Sequence, residues 1–247
     1  MPLNTLDKDE IIQFSRLADD WWDEEGSMSF LHAMSEIRTK FIKTELIDHF
    51  NLKENNKLFK GLNILDLGCG GGIASEPLSR LGANLTGVDE SEELIKVAKL
   101  HAKNMKLNIN YLCISIQNLV KLKNKYDVIV ALELLEHVNN LEEFCNLMTN
   151  LLNDDGTIVL STIIKTLLSK LFVIDMAEKI LKKIPMGTHH YEKFIKPSEI
   201  KDIFIKHNLH IRTIKGINLN PISNNWKLTE NTSINYIVSL SKQRAYN

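Results

Sequence analysis

Leu65-Asp66-Leu67-Gly68-Cys69-Gly70-Gly71-Gly72 joins a short apolar run, residues 62–67, to a segment that reads as a helix over 73–82. A strand that runs through clustered glycines straight into a helix is a tight turn. Its backbone N–H groups can approach a ligand at the positive end of the helix. The next apolar run, residues 84–88, ends at Asp89, 21 residues after Gly68. An acid at the end of that second strand can accept both hydroxyls of a ribose. The bare alternative is a strand-to-helix turn that holds nothing. The register of strand, glycines, helix and acid argues against it.

The rest of the middle repeats this rhythm. Ser91 followed by Glu92 and Glu93 opens a capped helix that runs to Met105. Strands are expected at 109–113, 126–132 and 157–162, with a helix at 140–152. Apolar, β-branched strands alternating with helices imply a parallel sheet covered on both faces. The tail reads as a helix at 197–207 and strands at 209–215 and 234–240, with a long loop between the strands. The first 59 residues look mainly helical. There is no repeat or low-complexity tract and no Pro-Gly linker, so 247 residues read as one domain.

Composition removes several classes. Thirty basic and 31 acidic side chains leave a net charge of −1, against a nucleic-acid binder, which carries a basic excess. Cys69, Cys113 and Cys145 have no CxxC spacing, which speaks against a disulfide framework or a thiolate zinc site and for a reducing compartment. The opening MPLNTLDKDEII has acids where a secretory signal needs basic residues. No run of about 18 uncharged apolar residues is present to cross a membrane.

Two further signals carry chemistry. The dinucleotide fingerprint G-x-G-x-x-G needs its third glycine at position 73, which is Ile73, so a nicotinamide cofactor is disfavoured. Loops of the DxGxGxG kind, with Asp66 two residues before the first glycine, resemble those of Rossmann-like methyltransferases that use S-adenosylmethionine. The strand 126–132 runs into Glu133-Leu134-Leu135-Glu136-His137-Val138. Glu133, Glu136 and His137 fall within one helical turn. They can hold a divalent cation, His137 alone can act as a base, or the group is a solvated, capped turn.

Trp21-Trp22-Asp23, the glycine loop, ELLEHV, PMGTHHYEKFIKP at 185–197 and NPISNNWKL at 220–228 together resemble the ubiquinone-biosynthesis O-methyltransferase family, in the expected order over residues 13 to 240. The resemblance implies a Rossmann-like α/β fold. Its seven-stranded, mostly parallel sheet has helices on both faces, an N-terminal helical cap at 1–59 and a cofactor-binding core at 60–162. An amphipathic insertion follows strand 5 at 163–190, and the core closes with 191–247. It implies methyl transfer from S-adenosylmethionine to ring hydroxyls of a 2-polyprenyl-6-hydroxyphenol and of a demethylated ubiquinol. The family's cofactor contacts fall on Arg38, Gly68, Asp89 and Leu132. Arg38 offers a planar fork to the methionine carboxylate. Leu132 is a wall beside the cofactor or simply strand packing. A magnesium site known in eukaryotic relatives maps onto Glu133, Glu136 and His137.

A phenol titrates near ~10, so something must favour the phenolate. A Mg²⁺ on those three residues is the first reading, with Glu136 and His137 in the catalytic group. His137 as a metal-free base is the second. His189 or His190, in the GTHH segment, lining the acceptor pocket, is the third. Trp21 and Trp22 either cap that pocket or pack structurally.

Residues 163–184 hold two short aliphatic arcs, broken near Asp175. Five lysines against Asp175 and Glu178 leave the segment +3. Beside a polyprenyl substrate this suits docking on an anionic membrane surface; a lid over the acceptor pocket or a subunit contact is the other reading. The expected setting is cytoplasmic, peripheral to the inner membrane, with other ubiquinone-biosynthesis enzymes as possible neighbours. A non-catalytic cofactor-binding scaffold and a methyltransferase for another acceptor are the competing functions.

Overall fold

The computed structural model describes residues 8–163, 195–220 and 225–242. Its frame is one sheet built from β1 (Asn63–Leu67), β2 (Asn84–Asp89), β3 (Asn110–Cys113), β4 (Tyr126–Leu132), β5 (Leu152–Ile163), β6 (Leu209–Asn220), β7 (Asn225–Thr229) and β8 (Asn235–Lys242). The spatial order is β3-β2-β1-β4-β5-β8-β6-β7. From β3 to β5 all neighbours are parallel; β8, β6 and β7 join antiparallel. The helices are α1 (Lys8–Ser15), α2 (Ser29–Phe50), α3 (Ser75–Arg80), α4 (Glu92–Asn104), α5 (Ile116–Lys121), α6 (Leu141–Thr149) and α7 (Pro197–Phe204).

Strand periodicity explains the layers, because successive side chains point to opposite faces. On β4, Val128 and Val130 pack with Met34, Phe41, Ile42 and Leu46 of α2. Ile129 and Ala131 face the other way, towards Phe144 and Met148 of α6 and Ile200 and Phe204 of α7. A strand covered on both sides must be apolar throughout, as the sequence reads. Each fully buried large side chain contributes roughly 1.5–3 kcal/mol.

Eight strands stand where seven were expected. The stretch read as a long loop between residues 215 and 234 instead extends β6 to Asn220 and adds β7, paired from Gly216↔Thr229 to Asn220↔Asn225. Apolar and polar residues do alternate there, Ile217-Asn218-Leu219-Asn220 and Asn225-Trp226-Lys227-Leu228-Thr229, but each run is short and they flank Pro221, Ser223 and Asn224, which read as loop. The helix expected at 73–82 is shorter, and Gly82 follows it at φ +97. The caps are as read: Ser91 Oγ accepts the Leu94 N–H at 3.2 Å. The helix expected at 140–152 ends at Thr149, because Leu152 already pairs with Tyr126 of β4. The amphipathic insertion and the GTHH segment with His189 lie outside the described residues.

Candidate active site

The carboxyl ends of β1, β2 and β4 meet at one edge of the sheet, where doubly wound folds place their ligands. The glycine loop leaves β1 with Gly68, Gly70 and Gly72 in the left-handed region, at φ +71, +52 and +98. Gly68 N and Cys69 N both donate to Val88 O, at 2.8 and 3.0 Å, which ties the loop to β2. Asp89, half-buried at the end of β2, completes the tie. One carboxylate oxygen accepts from Gly70 N and the other from Ser91 N, both at 2.9 Å. Burial pushes the Asp89 carboxyl up, and these backbone donors oppose the shift. Each oxygen keeps a second lone pair for a ligand hydroxyl. Below the loop, buried Asp66 accepts the Ser75 hydroxyl at 2.5 Å and is pushed up to about 6, chiefly by burial.

The double tryptophan closes over this loop. A side chain added to Gly70 or Gly71 would strike the Trp21 ring at 2.4 or 2.3 Å. Trp21 is buried with Ala18, Met28, Ile73 and Leu94. Its Nε1 is buried without a hydrogen-bond partner among the described residues. Trp22 Nε1 donates to Gly71 O at 2.9 Å, and its ring lies on His101 of α4. Nδ1 of His101 is 2.6 Å from Glu76 of α3. The pairing WWD was visible in the sequence, but its seat on the glycines was not. His101 and Glu76 carried no sequence signal, being 25 residues apart on separate helices.

At the end of β4 the predicted residues come together. Arg38, buried on α2, donates from Nη2 to Glu133 Oε1 at 2.6 Å. Ser161 Oγ donates to the same oxygen at 2.7 Å, and Glu133 N donates to Ser161 O at 2.9 Å. Glu133 sits at φ +50. Glu136 turns inward: it is 4% exposed and accepts the Thr162 hydroxyl at 2.8 Å. Its carboxyl is pushed up to about 7, first by burial and then by the Glu133 charge, with His137 opposing. The His137 ring stands edge-on to Phe14 of α1, centroids 5.1 Å apart. Leu132 is half-buried and packs on the α2 side. Leu134 fills the space that a side chain at Gly68 would need, its Cδ1 only 2.6 Å from such a Cβ.

Arg38, Gly68, Asp89, Leu132 and the E-x-x-E-H residues therefore share one edge. The side chains of Glu133, Glu136 and His137 do not converge on one point there. Glu133 is committed to Arg38 and Ser161, Glu136 to Thr162, and no three His, Cys, Asp or Glu side chains among the described residues group as metal ligands. Helical spacing brings residues into reach, but a left-handed Glu133 and two competing donors redirect its carboxylate. The residues do fit S-adenosylmethionine. Arg38 Nε is buried and lacks an acceptor among the described residues, and Asp89 stands beside the loop with lone pairs to spare. Ser161, Thr162 and Phe14 were missed by sequence reasoning, because only strand register and helix packing bring them here.

Comparison with known proteins places the chain among methyltransferases. A family model described as "Methyltransferase domain" matches residues 34–214. A ubiquinone biosynthesis O-methyltransferase from Pelagibacter ubique is 44% identical over 240 residues, covering 97% of this chain and all of that protein. The mitochondrial ubiquinone biosynthesis O-methyltransferase of Arabidopsis thaliana is 39% identical, covering 97% of this chain and 76% of its own. Among solved structures, magnesium protoporphyrin IX methyltransferase from Synechocystis PCC 6803 with bound SAH has a TM-score of 0.65 at 20% identity, covering 93% of this chain and 94% of that one. At that identity the likeness speaks for the fold.

Proposed function

The chain belongs to the ubiquinone biosynthesis O-methyltransferase family, and from that premise we propose that its acceptors are ring hydroxyls of polyprenylated phenols and catechols. S-adenosylmethionine-dependent O-methylation in ubiquinone biosynthesis follows from membership. The acceptors in this reading are a 2-polyprenyl-6-hydroxyphenol and 3-demethylubiquinol. The observation that carries it is a full-length relationship joined to a glycine loop, an acid and an E-x-x-E-H turn on one sheet edge.

Bound S-adenosylmethionine supplies an already activated methyl group. The work left to the protein is alignment and removal of a proton. Asp89 holds the ribose, Leu132 flanks the cofactor, and Arg38 takes the methionine carboxylate. His137 accepts the phenol proton, its ring steadied by Phe14. Glu136 stands one residue before His137 in the turn, held in place by the Thr162 hydroxyl. His189 is a further candidate for the acceptor pocket. No step in this reading is routed through a divalent cation.

A polyprenyl acceptor lies in a bilayer, so the basic, aliphatic segment 163–184 docks on an anionic membrane surface in this reading. No helix among the described residues is long and apolar enough to cross a membrane. Flotation with anionic vesicles tests the docking; absence of binding with Lys182 and Lys183 intact removes it.

The function itself is tested with labelled S-adenosylmethionine and a short-chain prenyl catechol, with Mg²⁺ and with chelator. Label in the prenyl ether under both conditions is the expected result. Failure to label the catechol, in protein that still binds S-adenosylhomocysteine, overturns the acceptor. His137→Ala should bind the cofactor normally and lose turnover; retained turnover removes His137 as the base.

A further inference from the structure

We infer that Glu133 is a positioning residue for the amino-acid end of the cofactor: it holds Nη2 of the Arg38 guanidinium and leaves Nε to the methionine carboxylate. The inference rests on the reading above in which Arg38 meets that carboxylate. A guanidinium has five N–H donors in one rigid plane, so fixing one nitrogen restricts where the others point. Nη2 is taken by Glu133 Oε1 at 2.6 Å. Nε is buried and has no acceptor among the described residues. A buried charged donor without an acceptor is costly, and a ligand carboxylate is the group that satisfies it.

The grip is itself built. Strand pairing places Leu132 opposite Ser161. The Ser161 hydroxyl then reaches Glu133 Oε1 at 2.7 Å, while its carbonyl accepts the Glu133 N–H at 2.9 Å. These contacts hold Glu133 at φ +50, a region that residues other than glycine rarely enter. Such strain persists where the surroundings over-determine it, and it gathers at ligand sites. The side chains of Arg38 and Glu133 are only 6% and 16% exposed, so the glutamate also neutralises a buried cation. Oε1 already carries two donors, which argues for a clamp on arginine rather than a ligand to a cation.

The test is calorimetric titration in chelator with two ligands. S-adenosylhomocysteine carries the carboxylate; 5′-methylthioadenosine keeps the nucleoside and sulfur and lacks the amino-acid end. Glu133→Ala should weaken S-adenosylhomocysteine about tenfold, ~1.4 kcal/mol, and 5′-methylthioadenosine less than twofold. Glu133→Gln, whose amide oxygen can still accept from Arg38, should recover part of the loss. Unchanged S-adenosylhomocysteine affinity in Glu133→Ala overturns the inference. Equal losses for both ligands overturn it too, since they mark a purely structural role. Arg38→Met separates the two readings. If it leaves the ratio of the affinities at the wild-type value, the anchor role of Arg38 has failed, and this inference with it. If it lowers the ratio and Glu133→Ala does not, only the positioning role has failed.

Discussion

The indole of Trp22 lies flat on the imidazole of His101, with centroids 3.5 Å apart and planes within 7° of parallel. Through this stack the N-terminal segment is fastened to α4, and through Trp22 Nε1 to the carbonyl of Gly71. The glycine loop is thus held from outside by a residue 49 positions earlier in the chain.

Removing that fastening should be felt in stability and in binding. Trp22→Phe keeps a ring for stacking and loses the bond to Gly71, a cost of about 1 kcal/mol. Trp22→Ala loses both, about 2–4 kcal/mol, and should also weaken S-adenosylhomocysteine. Urea midpoints with an unchanged slope, beside titration of the ligand, check the order. Equal stability of the two variants would show that the stack contributes nothing.

Two glycines should behave oppositely. Gly71→Ala places a methyl 2.3 Å from the Trp21 ring, so the cap must move off the loop; cofactor affinity should drop at least about tenfold. Gly61 lies at φ +93 with nothing within 4 Å. Gly61→Ala should cost only about 1–2 kcal/mol of backbone strain and leave binding intact. Thermal melts and ligand titration of both variants decide the matter. Normal binding by Gly71→Ala would mean that Trp21 does not govern the loop.

Burial of Glu136 predicts a particular pH dependence. Its folded carboxyl is pushed up to about 7 from an ordinary value of 4.5, so between those values the folded state binds more protons than the unfolded chain. Stability therefore falls as pH rises through this window. Asp66, pushed up to about 6 from 3.8, acts with the same sign at slightly lower pH. Glu136→Gln removes the first contribution, so its stability should fall less steeply than wild type between pH 5 and 7 and exceed wild type at pH 7.5. Urea unfolding across that range measures it, and parallel curves for the two proteins would contradict the assignment.

Much of this molecule was legible because neighbours in the chain carry it. A strand, its glycines and the acid closing the next strand are linked by short covalent spacers, and parallel pairing brings Gly68 and Asp89 to one edge. Ser91 caps the helix it precedes, since a cap needs only the next three residues. Residues 225–229 escaped notice as a strand because five alternating residues beside Pro221, Ser223 and Asn224 give a short signal, although Trp226 and Leu228 do pack against the α2 side of the core.

The E-x-x-E-H turn marks the boundary. Spacing alone determined that Glu133, Glu136 and His137 would stand at the end of β4, beside the loop. What each carboxylate does there was decided by partners far away in the chain. Arg38 arrives 95 positions earlier on a helix packed over the sheet, and Ser161 and Thr162 arrive on the neighbouring strand. Local periodicity sets which way a residue can point. A buried charge then settles on whichever opposite charge and hydroxyls the packed layers deliver, because in the interior it cannot be left to water.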